Sequence, residues 1–156
     1  MSALRPARPE EAELLHALVQ RAYAPYVPLI GRRPAPMDDD IAARIAAGQS
    51  HVLERGGAIL ALAVIEARPG HLWIENLAVE PAAHGQGLGR VLLAFAEAKA
   101  HRLGLPALRL LTNARMERNR AIYARAGFTE VRESEEGGLH RVHMWRGLDG
   151  TGEPAP

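Results

Sequence analysis

Residues 84–90 read HGQGLGR, with glycine at the alternate positions 85, 87 and 89. The loop follows the apolar stretch LWIENLAV and leads into VLLAFAEAKAHRLG. Without a Cβ, an anion can approach consecutive backbone N–H groups, and the positive end of a following helix adds to the attraction. That is chemistry for a phosphate or pyrophosphate. Two common phosphate loops are excluded. A dinucleotide loop of the GxGxxG type needs glycine where Arg90 stands, and an acidic residue about 20 positions further on, where the chain around Arg109 is apolar and basic. A Walker loop needs Gly-Lys-Ser/Thr at its helix end, and the sole lysine is Lys99. The plain alternative, a flexible helix entry that binds nothing, stays open on the glycines alone.

Other reactive groups narrow the chemistry further. The 156 residues contain no cysteine, which removes disulfides, thiolate metal sites and a cysteine acyl-enzyme. Serine occurs only at Ser2, Ser50 and Ser134, never in a GxSxG elbow, so a serine hydrolase is disfavoured. His140 and His143 are three apart on an expected strand and face opposite ways, so they do not chelate one ion. His16, His71 and His101 read as solvated positions, His51 begins a strand, and no metal is implied. His143 is a further, weaker choice for an auxiliary base.

The elements that must position these groups follow from periodicity and punctuation. Leu4 and its neighbours suit a short strand, and Pro9 with Glu10, Glu11 and Glu13 opens a helix carrying Leu14, Leu15, Leu18 and Val19. The prolines of AYAPYVPLIGRRPAPM stop that helix, and Asp38–Asp40 open a second one that Gly48 closes. His51–Arg55 and Ala58–Ala67 around Gly56-Gly57 form a hairpin, followed by a strand over Leu72–Val79. The unbroken apolar run Ala58–Ile65 suits a strand buried on both faces. After the glycine loop come a long helix ended by Gly104, a strand at Leu108–Leu111, a helix over Glu117–Ala126 and a closing hairpin of Thr129–Glu135 with Leu139–Trp145. One α/β domain over residues 1–148 is expected, with residues 149–156 as a disordered tail.

LAVEPAAHGQGLGRVLL from Leu77, followed downstream by NRAIYARAGF, resembles the GNAT superfamily of N-acetyltransferases. The resemblance is specific over Glu75–Phe128, and element order extends it to Leu4–Leu148. It implies a single α+β domain. Its mixed, mostly antiparallel twisted sheet has about six to seven strands and helices on both faces. A splayed parallel strand pair holds acetyl-coenzyme A, the co-substrate. By residue, the resemblance implies cofactor contacts from Leu77, Ala78, Val79, His84, Gly85, Gln86, Gly87, Leu88, Gly89, Arg90, Asn119 and Tyr123. His84 departs from the pattern, which has arginine or glutamine there; a loop that works through backbone N–H groups tolerates this with an altered affinity.

Acetyl transfer from a thioester to an amine needs a neutral amine, a polarised carbonyl and a proton for the leaving thiolate. A lysine-like amine costs about 4–5 kcal/mol to neutralise at pH 7 and an α-amine only about 1 kcal/mol, so the demand for a base depends on the acceptor. The resemblance makes Tyr123 the proton donor; the alternative is a core tyrosine. Glu75 stands in an otherwise apolar strand, where a buried carboxylate needs a role or a partner, and is read as the general base, as half of a structural ion pair, or as a strand-end residue reaching solvent. Asn76 points to the other face. With no cysteine, direct attack in a ternary complex is the expected route.

The resemblance places the acceptor against Tyr23–Met37, with Tyr23, Tyr26, Arg32, Arg33 and Met37 as substrate-binding residues. Arginine there can fork onto an acceptor carboxylate, although two solvated arginines in a stiff loop fit equally well. The expected partner is a small-molecule or amino-acid-like amine. A peptide acceptor and a non-catalytic acyl-CoA sensor are the alternatives, and a homodimer fits the family. Net charge +1 argues against nucleic acid, and no apolar run approaches the ~20 residues that span a bilayer. MSALRPARPEEAELL lacks an apolar signal core, so a cytoplasmic location is expected. Eighteen arginines against one lysine, with abundant alanine, point to a GC-rich bacterial genome.

Overall fold

In the computed structural model, residues 2–149 and Glu153 are described. In chain order they form β1 (Ser2–Pro6), α1 (Ala12–Tyr23), α2 (Tyr26–Ile30), α3 (Ile41–Ala46), β2 (Ser50–Arg55), β3 (Ala58–Arg68), β4 (His71–Val79), α4 (Leu88–Arg102), β5 (Ala107–Asn113), α5 (Glu117–Arg125), β6 (Thr129–Glu136) and β7 (Leu139–Gly147). The seven strands follow the order β1-β2-β3-β4-β5-β7-β6, a mixed sheet in which β4 and β5 run parallel. No helix among the described residues is long and apolar enough to cross a membrane. Of the tail 149–156, only Asp149 and Glu153 are described.

The chain divides into two units, one of residues 1–65 and 75–92, the other of 66–74 and 93–156. In the first, β1, β2 and β3 form an antiparallel ladder, with Leu4 opposite Leu53 and Val52 opposite Leu62. Ala61–Ile65 of β3 are all buried, as the continuous apolar run requires of a strand covered on both faces. Leu53, Ala61 and Ala63 pack with Ala83, Leu88 and Leu92, so the entry and first turn of α4 are fixed by burial. α1 buries Leu15, Leu18, Val19 and Tyr23, all on one stripe. α3 is capped by Asp40, whose carboxylate accepts from the Ala43 N–H at 3.0 Å. Arg5 joins β1 to both its neighbours, pairing with Glu11 and Glu54 at 2.8 Å each. Hydrogen bonds from Arg5, more than burial opposes, hold the Glu11 carboxyl down at about 2.

The segment after α1 differs from expectation. Its prolines end α1 but do not prevent a short helix, α2, because Pro25 occupies the cap and Pro28 the first turn, where no N–H is needed. A 3₁₀ turn at Ala35–Asp38 follows, with Pro36 in its first turn.

In the second unit, the parallel ladder pairs Leu72 with Leu108, Trp73 with Arg109 and Ile74 with Leu110. β5 also pairs along its whole length with β7, from Ala107–Gly147 to Asn113–Arg141, and β7 with β6. That is why β5 runs over seven residues rather than the four expected from its apolar core. Arg146 of β7 forks onto Glu97 of α4 with two bonds of 3.0 Å. α5 is half exposed and ends at Gly127, whose φ of +96° demands glycine. A Cβ there would also lie 3.2 Å from Arg146 Nε.

One histidine expectation, that His71 is solvated, is corrected. His71 is half-buried, its ring 6.4 Å from Trp73 and 6.0 Å from Trp145, and its Nε2 is buried without a hydrogen-bond partner. Burial, then the charges of Arg109 and Arg68, push its protonation below the ordinary histidine range. His143 has both ring nitrogens engaged, Nε2 with Ser134 Oγ at 2.9 Å and Nδ1 with Arg109 at 3.5 Å. Burial and the charges of Arg132 and Arg109 lower its pKa as well.

Candidate active site

β4 delivers the chain to the glycine loop. Its residues alternate strictly, with Leu72, Ile74, Asn76 and Ala78 buried and Trp73, Glu75, Leu77 and Val79 half-buried. Leu77 and Val79 rest on the cluster around Leu53 and Leu88, and the Glu80 N–H continues the pairing onto Leu60 O at 2.8 Å. Arg21 of α1 forks onto Glu80 with two 2.8 Å bonds, which hold that carboxyl below its usual range and fix the strand end. Ala83 and Leu88 are buried on either side of residues 84–87, which are exposed. The loop is therefore pinned at both ends while residues 84–87 between them are exposed.

The three glycines have different reasons to be there. Gly85 and Gly87 have φ of +84° and +74°, so the turn itself demands glycine. Gly89 lies in the first turn of α4 without a positive φ, where alanine would be tolerated and would gain less than the ~1 kcal/mol of a helix interior. A methyl group at residue 89 would meet no heavy atom within 4 Å. Neither backbone nor packing explains Gly89, and the space it leaves lies at the N-terminus of α4. Val91 N–H is bonded back to Gly87 O at 3.3 Å, and the amides of Leu88, Gly89 and Arg90 come before that first helical bond. The residues present thus fit an anionic group such as a pyrophosphate: exposed amides, a helix N-terminus of fifteen residues and clearance for close approach. Leu88 contributes only its backbone, since its side chain is core.

Tyr23 is 7 % exposed. Its hydroxyl donates to Asn76 Oδ1 at 2.7 Å and lies 3.2 Å from Leu77 O. Asn76 is 3 % exposed and its Nδ2 is buried with no partner. The expectation that Asn76 turns away from Glu75 holds, yet it is Asn76 that meets Tyr23. Tyr26 stacks at a tilt 6.4 Å from Tyr23. Met37 is buried, and its carbonyl accepts from Gln20 at 2.7 Å and from Arg33 at 3.3 Å. Arg33 also reaches Asp38 and Gln20 at 3.0 Å, while Arg32 is exposed beside it.

Glu75 differs from the buried carboxylate expected. Its side chain is 29 % exposed and lies 3.4 Å from Arg44, as the ion-pair alternative has it, and Arg44 Nε also pairs with Asp39 at 3.0 Å. Arg44 is a residue that sequence reasoning missed, because nothing local connects it to a strand thirty residues away. Gln86 is held in the same way from a distance, by Arg55.

Asn119 and Tyr123 belong to the second unit. They are four apart on α5, hence on one face, and both are half-buried. The Tyr123 ring meets Phe128 edge-on at 5.9 Å. The Phe128 N–H returns to Tyr123 O at 3.0 Å, so the turn at Gly127 fixes the C-terminal end of the helix that carries the tyrosine.

Comparison with known proteins agrees with these features. No curated protein matches the sequence. Among solved structures, the PaiA N-acetyltransferase from Thermoplasma acidophilum, in complex with coenzyme A, superposes with a TM-score of 0.80 at 13% identity, covering 95% of this chain and 99% of its own. The ribosomal-protein-S18-alanine N-acetyltransferase from Escherichia coli gives 0.75 at 20% identity, covering 100% and 99%. YncA from Salmonella typhimurium, a putative acetyltransferase with its cofactor acetyl-CoA, gives 0.73 at 18% identity, covering 99% and 98%. These likenesses establish the fold. The model of the acetyltransferase (GNAT) family matches residues 13–128, from α1 through the glycine loop to the end of the Tyr123 segment, and the chain belongs to that family of acyltransferases.

Proposed function

We propose that this enzyme transfers the acetyl group of acetyl-CoA to the primary amine of a small, amino-acid-like acceptor by direct attack in a ternary complex. The observation that carries the coenzyme reading is the glycine loop at the N-terminus of α4, where Gly85 and Gly87 have positive φ and a Cβ at 85, 87 or 89 would meet nothing within 4 Å. The pyrophosphate would rest on the amides of residues 85–90, and the backbone of Leu77–Val79 would hold the pantetheine arm, with Asn119 as a side-chain contact. When bound, the coenzyme supplies an activated acetyl thioester.

The remaining work falls to the chain's own side chains. Glu75 takes the proton from the attacking amine, with the Arg44 guanidinium 3.4 Å from its carboxylate. Tyr123 gives a proton to the departing thiolate, so that the C–S bond breaks as the C–N bond forms and no charge accumulates on sulfur. Tyr26 and the exposed Arg32 offer an aromatic face and a forked cation to an acceptor with a carboxylate. Tyr23 is buried with its ring 6.4 Å from Tyr26, and the buried Met37 accepts from Arg33 through its carbonyl.

Steady-state kinetics of Tyr123→Phe and Glu75→Gln test these assignments. Tyr123→Phe is expected to lower kcat by about 10²-fold with CoA affinity retained. A Tyr123→Phe enzyme with full kcat at every pH removes the proton donor from the account.

A further inference from the structure

Arg55 closes β2 at the Gly56-Gly57 turn, and its Nη1 donates to Gln86 Oε1 at 2.9 Å. Gln86 is the residue between the two positive-φ glycines, at the crown of the loop. The contact joins positions 31 residues apart, so it is built by the fold and not by local sequence. Its chemistry is informative. Glutamine is neutral, and a guanidinium anchored by an amide oxygen is oriented without losing charge to that partner. A guanidinium carries five N–H donors in a planar fork that matches two phosphate oxygens, and the bond to Gln86 comes from Nη1. It therefore stands beside amides that already favour an anion, and Arg90 is exposed on the first turn of α4.

We propose that Arg55, held by Gln86, is a phosphate-binding residue for the coenzyme. The inference rests on the reading that residues 84–90 bind CoA, and it adds a side-chain cation from a separate strand to a site otherwise made of backbone. Gln86 is then a positioning residue that acts through Arg55. The ligand chemistry is a phosphate group of CoA, either the pyrophosphate or the 3′-phosphate.

Calorimetric titration separates these. CoA and 3′-dephospho-CoA are titrated into the wild-type protein, Arg55→Ala, Arg55→Lys and Gln86→Ala. Arg55→Ala is expected to weaken CoA binding about tenfold, as loss of one charge-assisted pair would. Arg55→Lys keeps the charge but not the fork and should lie between. Gln86→Ala leaves β2 intact and should weaken binding less than Arg55→Ala. The same loss with 3′-dephospho-CoA assigns the contact to the pyrophosphate, and a loss confined to CoA assigns it to the 3′-phosphate; either supports the proposal. The wild-type difference should also shrink as salt is raised. Wild-type affinity for CoA in Arg55→Ala overturns the inference and leaves the CoA site standing. A wild-type protein that binds no CoA overturns both.

Discussion

The hydroxyl of Tyr23 donates to the side-chain oxygen of Asn76 at 2.7 Å, joining the last turn of α1 to the middle of β4 below the surface. Both residues are buried, and Leu77 O lies 3.2 Å from the same hydroxyl. Tyr23→Phe keeps the ring and removes the donor, so a buried amide oxygen is left without its partner. The cost is expected at about 1–3 kcal/mol, read as a lower urea midpoint with unchanged slope. An unchanged midpoint would show that the bond contributes nothing net.

Gly89→Ala should move stability and binding in opposite directions. Gly89 is in the first turn of α4, where alanine gains a part of the ~1 kcal/mol it gains in a helix interior, and the methyl group meets no described atom within 4 Å. Thermal denaturation is expected a few degrees higher, while CoA binds more weakly because the methyl occupies the approach to the amides. A variant that is both more stable and equally tight for CoA would remove the structural argument for the coenzyme site.

Acid should unlock Arg5. Glu11 falls from an ordinary 4.5 to about 2 in the fold, chiefly through its bonds with Arg5. A depressed carboxylate contributes stability that is complete above pH 4.5 and is lost as pH falls towards 2. Arg5→Ala should therefore be less stable than wild type at pH 6, and the gap should narrow between pH 4.5 and 2. Melting curves across that window check it; a constant gap would assign the effect of Arg5 to packing.

His71 makes the opposite kind of test. Its pKa lies below 6.5, because burial against Trp73 and Trp145 disfavours the charged ring and Arg109 and Arg68 add to that. The neutral ring is the stable one, so this contribution is complete above pH 6.5 and declines as pH falls through the folded value. Imidazole resonances followed by NMR should place the His71 midpoint below 6.5. A midpoint at or above 6.5 contradicts the buried environment.

The legible parts of the sequence were those with a local physical cause. Asp40 as a cap, Gly127 as a stop and the doubly buried run in β3 each follow from neighbours in the chain. The glycine loop was legible as a tight turn for the same reason, since Gly85 and Gly87 take positive φ. The short helix over Tyr26–Ile30 was not, since first-turn prolines are compatible with both a helix and a loop. Arg44 beside Glu75, Arg55 beside Gln86 and the burial of Tyr23 were also hidden. Each depends on strands and helices meeting over 31 to 53 residues of sequence, and no local pattern encodes that. His71 misled because a polar residue after Pro69-Gly70 reads as a turn, whereas two tryptophans brought together by β4, β5 and β7 enclose it.

The central claim is acetyl transfer to a small amine, and a thiol-release assay with acetyl-CoA over a panel of amino acids, polyamines and N-terminal peptides tests it most directly. Mass spectrometry of the products is read in parallel. The account predicts CoA release matched by one acetyl group on a small amine, fastest for acceptors that carry a carboxylate. Turnover confined to peptides would contradict the small-molecule assignment, and tight CoA binding with no thiol release across the panel would contradict the claim of catalysis itself.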